Sequence, residues 1–375
     1  MSDSRPLITH IIYRLNVGGL ENGLVNLINT IPEERYRHAI ICITHATDFR
    51  ERIRRPDVSI YELNKDEGKS LWHYWKTYKL LRQLKPDIVH TRNLSTIECQ
   101  LPATLAGVAF RVHSEHGWDV YDPDGSNVKY QWLRRVFKTF INHFVPLSEE
   151  LELYLTDNIH VSTEQITRIS NGVDTKRFYP APTGRTTIAD CPFTNSQDLL
   201  IGTVGRMHGV KDQINLVRAF IELRKAKHTS HVRLLLIGEG PLRQTAGLLL
   251  EKAGLIDDVW LPGARNDIAD IMRGMDVFVL PSSAEGISNT ILEAMASALP
   301  VIATDVGGNA ELVSNATTGT IVPKSNHLVL AQALANYIKH PELLKQHGQA
   351  GYQRIQTEFS MDAMVKQYLG VYDRH

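Results

Sequence analysis

Short apolar runs recur along the whole chain, and helical patterns lie between several of them. In the first half the runs are residues 7–13, 38–43, 58–63, 87–90, 110–114, 143–147 and 166–169. In the second half they are residues 199–204, 232–237, 259–263, 276–281, 301–308 (which includes a glycine turn) and 319–322. Runs of this kind are typical of strands buried on both faces of a parallel sheet, with helices as the connections. The sequence therefore predicts the α/β class, in which ligands bind beyond the carboxyl ends of the strands.

The length and the turn-forming residues predict two domains. The chain has 375 residues, and a domain has about 100–200. Residues 180–197 are rich in Pro, Thr and Gly and show no clear periodicity, as in a linker. We place the boundary there, so that residues 1–180 form an N-terminal domain and residues 181–359 form a C-terminal domain.

The composition excludes several classes of protein. Lys+Arg and Asp+Glu both number 41, so there is no basic field of the kind that nucleic-acid-binding proteins carry. Cys42, Cys99 and Cys191 are far apart, which argues against a zinc site or a disulfide framework and fits a reducing compartment. The first residues are polar, and no apolar stretch reaches the ~20 residues that span a bilayer. We expect a cytoplasmic protein that is at most peripheral to the inner face of the membrane.

Two glutamates flank a loop between a predicted strand and a predicted helix. The strand is residues 276–281, and the helical segment starts near Leu292, so Glu293 is predicted in its first turn and Glu285 in the loop. Amides at a helix N-terminus suit a diphosphate, and two carboxylates beside it could hold the hydroxyls of a sugar and a ribose. In the alternative interpretation, Thr290 and Glu293 form a capping box, and Glu285 is a solvated acid.

The string from Pro281 to Ala296 resembles the signature of glycosyltransferase family 4, with seven residues between Glu285 and Glu293. Family members are retaining enzymes of the GT-B fold, in which two Rossmann-like domains face each other across a cleft. The resemblance implies a last helix, within residues 360–375, that crosses back to an acceptor-binding N-terminal domain. The donor would bind the C-terminal domain, with Glu285 on the transferred sugar and Glu293 on the ribose. The donor-binding residues between them would be Gly286, Ile287, Ser288, Asn289 and Thr290.

Two cations follow the predicted strand at residues 199–204. Gly205-Arg206 comes directly after it, and Lys211 lies five residues further on. A diphosphate suits this pair, because Arg offers a bidentate fork and Lys a point charge, whereas the alternative is a solvated basic loop. The family has a Gly-Arg…Lys pair here that neutralises the leaving diphosphate. Asp212 stands where the family has glycine, which leaves the shape of this loop in doubt.

A Gly-Gly turn follows the first predicted strand. Gly18 and Gly19 precede a helical pattern at residues 22–29, so the backbone could approach a phosphate or a sugar. The alternative is a tight turn without a ligand. The family carries Gly-Gly-x-Glu at this place, facing the cleft, which favours the ligand-binding interpretation.

Two histidines, His113 and His116, lie at the end of the predicted strand at residues 110–114, where ligand contacts are expected. Family enzymes have a histidine near this point that touches the donor sugar, and we assign that role to His116. His113 and Glu115 compete with it, because the local pattern does not fix the register. Asp119 is a further candidate contact to the acceptor.

The resemblance places Arg265, after the predicted strand at residues 259–263, near the nucleobase through its backbone. A Gly-x-Gly at residues 238–240 suggests a dinucleotide fold, but the third glycine and the ribose-binding acid of that fingerprint are missing. A nicotinamide-dependent dehydrogenase is therefore disfavoured. A nucleotide-sugar epimerase and a non-catalytic subunit remain as alternatives.

Residues 129–140 form a basic and aromatic helical pattern. Its cations are Arg134, Arg135 and Lys138, and its apolar residues include Trp132, Val136, Phe137 and Phe140. Such a helix could lie on an anionic membrane, as in family members that use lipid-linked acceptors. The alternative is a helix that packs on the sheet and presents a charged outer face.

The resemblance implies transfer of a hexosyl group from a UDP- or GDP-sugar, with retention of the anomeric configuration. The acceptor would be a saccharide or a polyprenyl-diphosphate-linked saccharide in exopolysaccharide or cell-surface glycan synthesis. We expect His116, Arg206, Lys211 and Glu285 to be the catalytic residues. No cofactor is expected, and no metal, because no convincing Asp-x-Asp motif is present. Gly19-Leu20-Glu21 and residues 113–119 also resemble the exopolysaccharide transferases associated with PEP-CTERM/exosortase systems.

Overall fold

The computed structural model describes residues 3–66, 71–118, 122 and 124–375. Asp119, the further candidate contact to the acceptor, lies outside the described residues. None of the helices within these ranges combines the length and the apolarity that crossing a bilayer requires.

The chain forms two compact units. The first is the chain up to Asn171 together with Met361–His375, and the second is Gly172–Ser360. The first unit thus ends before the linker that the sequence predicts. The N–H of Val173 donates to the carbonyl of Phe359 at 2.9 Å, which ties this segment to the second unit.

Each unit contains a parallel sheet of six strands. The strands of the first unit are β1 (Leu7–Ile12), β2 (Arg37–Cys42), β3 (Ser59–Glu62), β4 (Ile88–Arg92), β5 (Phe110–Glu115) and β6 (His143–Pro146), in the order β3-β2-β1-β4-β5-β6. Those of the second are β7 (Leu199–Val204), β8 (Val232–Ile237), β9 (Val259–Gly263), β10 (Val277–Leu280), β11 (Val301–Thr304) and β12 (Gly319–Val322), in the order β12-β11-β10-β7-β8-β9. The prediction of an α/β protein is confirmed.

One predicted strand is not formed. The run at residues 166–169 makes a single parallel bridge, between Phe144 and Ile166. Its backbone lies extended beside β6, with the Ile169 N–H donating to the Pro146 carbonyl at 3.1 Å. Ile169 is buried, so its apolar character reflects core packing rather than a further strand.

Helices connect the strands. They are α1 (Gly19–Thr30), α2 (Trp72–Leu84), α3 (Leu94–Ile97), α4 (Gln100–Leu105), α5 (Val128–Phe137), α6 (Glu149–Leu153), α7 (Gln213–Leu223), α8 (Leu242–Lys252), α9 (Ile268–Arg273), α10 (Asn289–Ala296), α11 (Asn309–Leu312), α12 (His327–Lys339), α13 (Glu342–Arg354) and α14 (Met361–Tyr372). Helix α5 continues as a short 3₁₀ segment, Lys138–Phe140.

Apolar packing of helices on the sheets builds a core in each unit. In the second unit, Leu216 and Phe220 of α7 pack with strand residues such as Ile201. Burying one such side chain contributes about 1.5–3 kcal/mol. In the first unit, Val365 and Tyr368 of α14 belong to the core cluster of the sheet. The last helix is therefore part of the first unit, as the family resemblance implies.

Candidate active site

An ion pair joins two predicted site residues of the second unit. Lys211 follows β7 and Glu285 follows β10, and these strands are neighbours in the sheet. Lys211 Nζ lies 2.5 Å from Glu285 Oε1, and the Ser282 hydroxyl donates to the same oxygen at 2.6 Å. The side chain of Glu285 is 10% exposed and that of Lys211 is 25% exposed, so the pair is shielded but still reachable by a ligand.

Helix α10 begins one turn earlier than the sequence predicts. Its N-cap is Ser288, whose hydroxyl lies 3.0 Å from the Thr290 hydroxyl and makes no cap hydrogen bond to the backbone. Glu293 therefore lies in the second turn, and the prediction of the first turn is wrong. The alternative capping box is also absent, because Thr290 lies within the helix. The first-turn amides of α10 have no partner within the helix, which is what an anion site requires.

Glu293 is a partly buried carboxyl group. Burial raises its pKa to about 7, and the nearby cation of Arg177 only partly opposes this shift. Its carboxylate has no hydrogen-bond partner in the part of the chain that the structure describes. A carboxyl group that titrates near neutral pH and lacks a partner is typical of a binding or catalytic site.

The loops that follow β7 and β8 are in close backbone contact. Gly238 has φ +145°, and a Cβ there would lie 2.0 Å from the Gly205 carbonyl oxygen. Gly240 has φ +148°, and a Cβ there would lie 2.3 Å from the Met207 carbonyl oxygen. The Gly-x-Gly at residues 238–240 therefore serves close packing. This packing supports the loop that carries Arg206, whose side chain is exposed.

Asp212 stands where the family has glycine, and it takes a backbone conformation that glycine favours. Its backbone is left-handed (φ 42°, ψ 44°), a conformation that favours glycine but that Asp adopts more readily than most residues. Its carboxylate caps α7 by accepting from the Asn215 N–H at 3.3 Å. Asp212 thus follows Lys211 in the conformation a glycine would take and also stabilises the next helix.

The glycine turn after β11 supports the loop of Glu285. A Cβ on Gly307, which has φ +50°, would lie 2.1 Å from the Glu285 carbonyl oxygen. The Gly308 N–H donates to the Gly286 carbonyl at 2.8 Å, and a Cβ on Gly308 would meet Ile287. Glycine at both positions lets the two loops touch, which fixes the backbone around the predicted donor contacts.

Arg265 is a paired cation. Its guanidinium donates to Asp267 at 2.9 Å and lies 2.9 Å from Asp190, over the ring of Trp260. Asp267 and Asp190 raise its pKa above the ordinary value. Its side-chain charge is therefore already neutralised, and the predicted backbone contact to the nucleobase stays a prediction.

In the first unit, the Gly18-Gly19 turn starts α1. Gly18 is extended (φ −167°, ψ 166°), and its carbonyl accepts from the Asn22 N–H at 3.0 Å. The Glu21 carboxyl folds back over it, so a Cβ on Gly18 would lie 2.2 Å from Glu21 Oε2. Burial raises the pKa of Glu21. The turn thus places the carboxyl group of Glu21 beyond the carboxyl end of β1.

The structure separates the three candidates, because His113 and Glu115 lie within β5 and His116 follows it. His113 Nδ1 lies 2.8 Å from the Thr91 hydroxyl, and Glu115 is paired with Arg134 at 2.7 Å, both deep in the unit. His116 Nε2 is buried and has no hydrogen-bond partner among the described residues. Burial, together with the Arg92 cation, lowers the pKa of His116 to about 3. His116 is thus a neutral imidazole with an unused nitrogen, and its role in catalysis stays a prediction.

Comparison with known proteins decides the family. A model of Glycosyltransferase Family 4 matches residues 17–177, and a model of Glycosyl transferases group 1 matches residues 198–340. The UDP-Gal:alpha-D-GlcNAc-diphosphoundecaprenol alpha-1,3-galactosyltransferase of Escherichia coli is 28% identical over 326 residues, which cover 85% of this chain and 84% of that protein. The chain is a family 4 glycosyltransferase.

Solved structures confirm the predicted GT-B fold. A glycosyltransferase from Rickettsia africae ESF-5 matches with a TM-score of 0.81 and 21% identity, covering 99% of this chain and 98% of that one. HepE of Anabaena, in complex with UDP, matches with a TM-score of 0.81 and 16% identity, covering 99% of this chain and 100% of that one.

The first unit of this glycosyltransferase also holds a buried polar network that the sequence analysis missed. The Arg92 side chain is 2% exposed and contacts His10 Nδ1 at 3.1 Å and His90 Nδ1 at 3.3 Å. His90 also contacts the Tyr372 hydroxyl at 2.8 Å. Within the described ranges, no carboxylate lies within ion-pair distance of the guanidinium, and burial lowers the pKa of Arg92. The sequence signal that could have indicated this network is the presence of polar residues, His10 in β1 and His90 and Arg92 in β4, inside apolar strands.

Helix α5 buries one of the cations of its basic pattern. Arg134 is 2% exposed and is bound to Glu115, so it does not belong to an outer basic face. The exposed residues include Val128, which is 74% exposed, and Trp132, which is 63% exposed, together with the cations Lys129 and Arg135. The outer face is therefore both apolar and basic, and membrane contact and the alternative of a packed helix with a charged outer face both stay predictions.

Proposed function

We propose that this glycosyltransferase moves a hexosyl group from a UDP-sugar to a hydroxyl of a lipid-linked saccharide, with retention of the anomeric configuration. The observation that carries the proposal is the Lys211–Glu285 pair at the carboxyl ends of β7 and β10, with the exposed Arg206 on the loop that follows β7. The complex of HepE with UDP and the name of the E. coli relative support the donor and the acceptor class. A GDP-sugar is the alternative donor.

When a donor binds, Lys211 and Glu285 can each exchange the other for a group of the donor. The diphosphate would take Lys211 from Glu285, since a diphosphate carries more negative charge than one carboxylate. Glu285, still held by the Ser282 hydroxyl, would then accept hydrogen bonds from hydroxyls of the transferred sugar. In this way the unliganded site keeps both charges compensated and releases them only to a ligand that supplies both a diphosphate and a sugar.

In the proposed reaction, the bond between the anomeric carbon and the phosphate oxygen breaks, and the acceptor oxygen attacks from the same face. The acceptor proton goes to the departing phosphate oxygen, so no protein carboxylate acts as a nucleophile, unlike in retaining glycosidases. Arg206, Lys211 and the first-turn amides of α10 would stabilise the leaving charge. The proposal needs no cofactor and no metal, because these groups supply the positive charge.

Glu293 would bind the ribose. An ionised carboxylate accepts hydrogen bonds from two hydroxyls, and these contacts would favour its charged form. A pKa of about 7 in the unliganded protein means that the group is part protonated at neutral pH. Donor affinity should therefore weaken as the pH falls below 7.

The first unit would bind the acceptor, with Gly18, Gly19 and His116 at the carboxyl ends of its strands. We also propose that residues 129–140 contact the inner face of the cytoplasmic membrane. Val128 and Trp132 on α5 supply the apolar surface, and Lys129 lies beside them and is exposed. Synthesis of an exopolysaccharide in a PEP-CTERM system stays a prediction that rests on sequence resemblance.

Calorimetric titration of the protein with UDP, GDP and ADP tests this proposal. We expect UDP to bind without added metal, and we expect Glu293→Ala to weaken that binding. Tighter binding of GDP than of UDP would indicate a GDP-sugar as the donor, and the assignment of the site residues would stay the same. If the folded protein binds none of the three nucleotides, the second unit is not a donor site, and a non-catalytic role replaces the proposal.

A further inference from the structure

A large apolar groove lies on the first unit, between α2 and α4. Its volume is about 450 Å³. Tyr74, Trp75 and Tyr78 form one wall, and Leu101 and Leu105 form the other. Glu98 also lines the groove, and its carboxylate accepts a hydrogen bond from the Tyr74 hydroxyl. Phe137, at the end of α5, also lines it. Ligand sites have volumes of about 300–1,000 Å³, so the groove is large enough to hold a hydrocarbon chain.

The rim of the groove is apolar and exposed. Leu105 is 66% exposed and Trp75 is 46% exposed, and Leu71 and Trp72 at the start of α2 are 80% and 60% exposed. Contiguous apolar surface of this kind marks a binding site for a partner or a membrane. Lys79, with its ammonium 5.3 Å from the Trp75 ring, adds a cation to this rim. An aromatic ring beside a cation is typical of surfaces at a membrane interface.

A cationic pocket continues the groove along the same two helices. Arg82 lies one helical turn beyond Tyr78 on α2, about 6 Å further along the axis. This second cavity has a volume of about 440 Å³, and Arg82, Lys85 and residues 106–109 line it. Arg82 and Lys85 are both exposed. Neither cation forms an ion pair in the described part of the chain. Asp87 also lines the pocket, and its carboxylate accepts the Leu7 N–H at 2.7 Å.

We propose that the groove and the pocket together bind one anionic phospholipid of the membrane. Its acyl chain lies between α2 and α4, and its phosphate lies between Arg82 and Lys85. The apolar length and the cationic end match the two parts of such a lipid, since Arg and Lys are the side chains that bind phosphate. A neutral lipid would leave both cations without a counter-charge.

The position of this site separates it from the proposed reaction. Lys85 comes just before β4 and residues 106–109 come just before β5, so the pocket lies at the amino ends of these strands. Gly18 and His116 lie at the opposite, carboxyl ends. The bound phospholipid is therefore not the acceptor, and it holds the first unit on the membrane whether or not transfer occurs.

Fluorescence quenching tests the site in the full-length protein without a donor. The probe is vesicles of phosphatidylglycerol with brominated acyl chains, compared with brominated phosphatidylcholine. We expect the anionic vesicles to quench tryptophan fluorescence, and we expect Trp75→Phe to remove a large share of that quenching. Quenching that survives Trp75→Phe unchanged would place the contact on α5 through Trp132, and it would overturn the groove.

Charge reversal supplies the second arm. We expect the double variant Arg82→Glu and Lys85→Glu to weaken binding to phosphatidylglycerol by about tenfold or more, since each cation near an anionic surface contributes to attraction. The matched control is Lys339→Glu with Lys345→Glu, two exposed cations of the second unit, and it should bind as the wild type does. Circular dichroism and denaturant unfolding of both variants check that they are folded.

Three further results would overturn the proposal. Equal binding to phosphatidylcholine and phosphatidylglycerol would remove the role of the cationic pocket. Displacement by farnesyl diphosphate, but not by a short-chain phosphatidylglycerol, would make the occupant a prenyl chain. A groove variant, Leu105→Glu, should lose quenching by anionic vesicles, as the charge-reversed variant should. Full quenching of Leu105→Glu would contradict the acyl-chain site.

Discussion

The two units hold their polar groups in different ways. In the second unit, Arg206, Lys211 and Glu285 lie on loops beyond the strand ends, and they are exposed or only partly buried. In the first unit, His90 and Arg92 lie within β4 itself and are buried. The loops of the second unit can exchange their partners for a ligand. The buried residues of the first unit bind one another and form a scaffold for the groups beside them.

This difference separates the residues that act on a ligand from those that hold the fold. A buried hydrogen-bonded network stabilises one arrangement strongly, because each unpaired member would be costly in a medium of low dielectric constant. An exposed ion pair contributes little to stability and is easily reorganised. Mutations should therefore change stability in the first unit and binding or turnover in the second. The predictions below test this comparison, starting with the largest expected effect.

Breaking the buried Glu115–Arg134 pair should have the largest effect on stability. Arg134→Met leaves the Glu115 carboxylate buried without its main partner, and we expect the free energy of unfolding to fall by about 3–5 kcal/mol. Denaturant unfolding measures this loss. The neighbouring Arg135→Met is the control, since Arg135 is exposed and should change stability little. Equal losses for the two variants would contradict the distinction between the units.

Removing the exposed side chain of Arg206 should lower turnover and leave stability unchanged. Arg206→Ala should lower kcat by about 100- to 1,000-fold, because one electrostatic donor to the leaving group is lost. Its unfolding free energy should match that of the wild type. Arg218→Ala, which removes another exposed cation on α7, is the control that should keep full turnover. A turnover near the wild-type value for Arg206→Ala would remove it from the site.

Acid should destabilise the first unit through its histidines. Burial lowers the pKa of His10, His38, His90 and His116. The unfolded chain binds protons on these groups below about pH 6.5, while the folded chain does not. Stability is therefore present above pH 6.5 and falls as the pH drops, by up to about 1.4 kcal/mol per pH unit for each histidine. Denaturant unfolding at pH 7.5, 6 and 5 measures this slope, and a flat profile would contradict the buried network.

Glu293 gives the smallest and most specific effect. Its pKa is raised to about 7, so the folded protein binds a proton that the unfolded chain releases between about pH 4.5 and 7. Stability should therefore fall as the pH rises through this window, by up to about 1.4 kcal/mol per pH unit, and Glu293→Gln should remove that slope. The same variant should abolish the loss of UDP affinity below pH 7. An unchanged pH profile of UDP binding would show that Glu293 does not hold the ribose.

The sequence predicted the second unit well because its signals are local. The predicted runs 199–204, 232–237, 259–263 and 319–322 coincide with four strands of the structure. Arg206, Lys211 and Glu285 lie on the loops that follow β7 and β10, so parallel topology brings them to one edge of the sheet. The position of Glu293 was harder to predict, because the start of α10 depends on the backbone at Ser288.

The first unit was less predictable because its contacts are distant in sequence. Arg92 meets His10, 82 residues away, only because β1 and β4 are neighbours in the sheet. The inward direction of Arg134 depends on Glu115, 19 residues earlier. Helical periodicity gives no information on either contact. The same limit applies to the lipid groove, whose walls come from α2 and α4 and were not predicted as one surface.

The most direct test of the central claim is donor turnover by the wild-type protein. UDP-glucose, UDP-galactose and UDP-N-acetylglucosamine are incubated with it in the presence of EDTA, and the release of UDP and of the sugar is followed by chromatography. The account predicts that at least one donor is slowly hydrolysed and that the double variant Arg206→Ala and Lys211→Ala releases neither product. Release at the same rate by that folded variant, or no release from any donor by a wild-type protein that binds UDP, would contradict the claim.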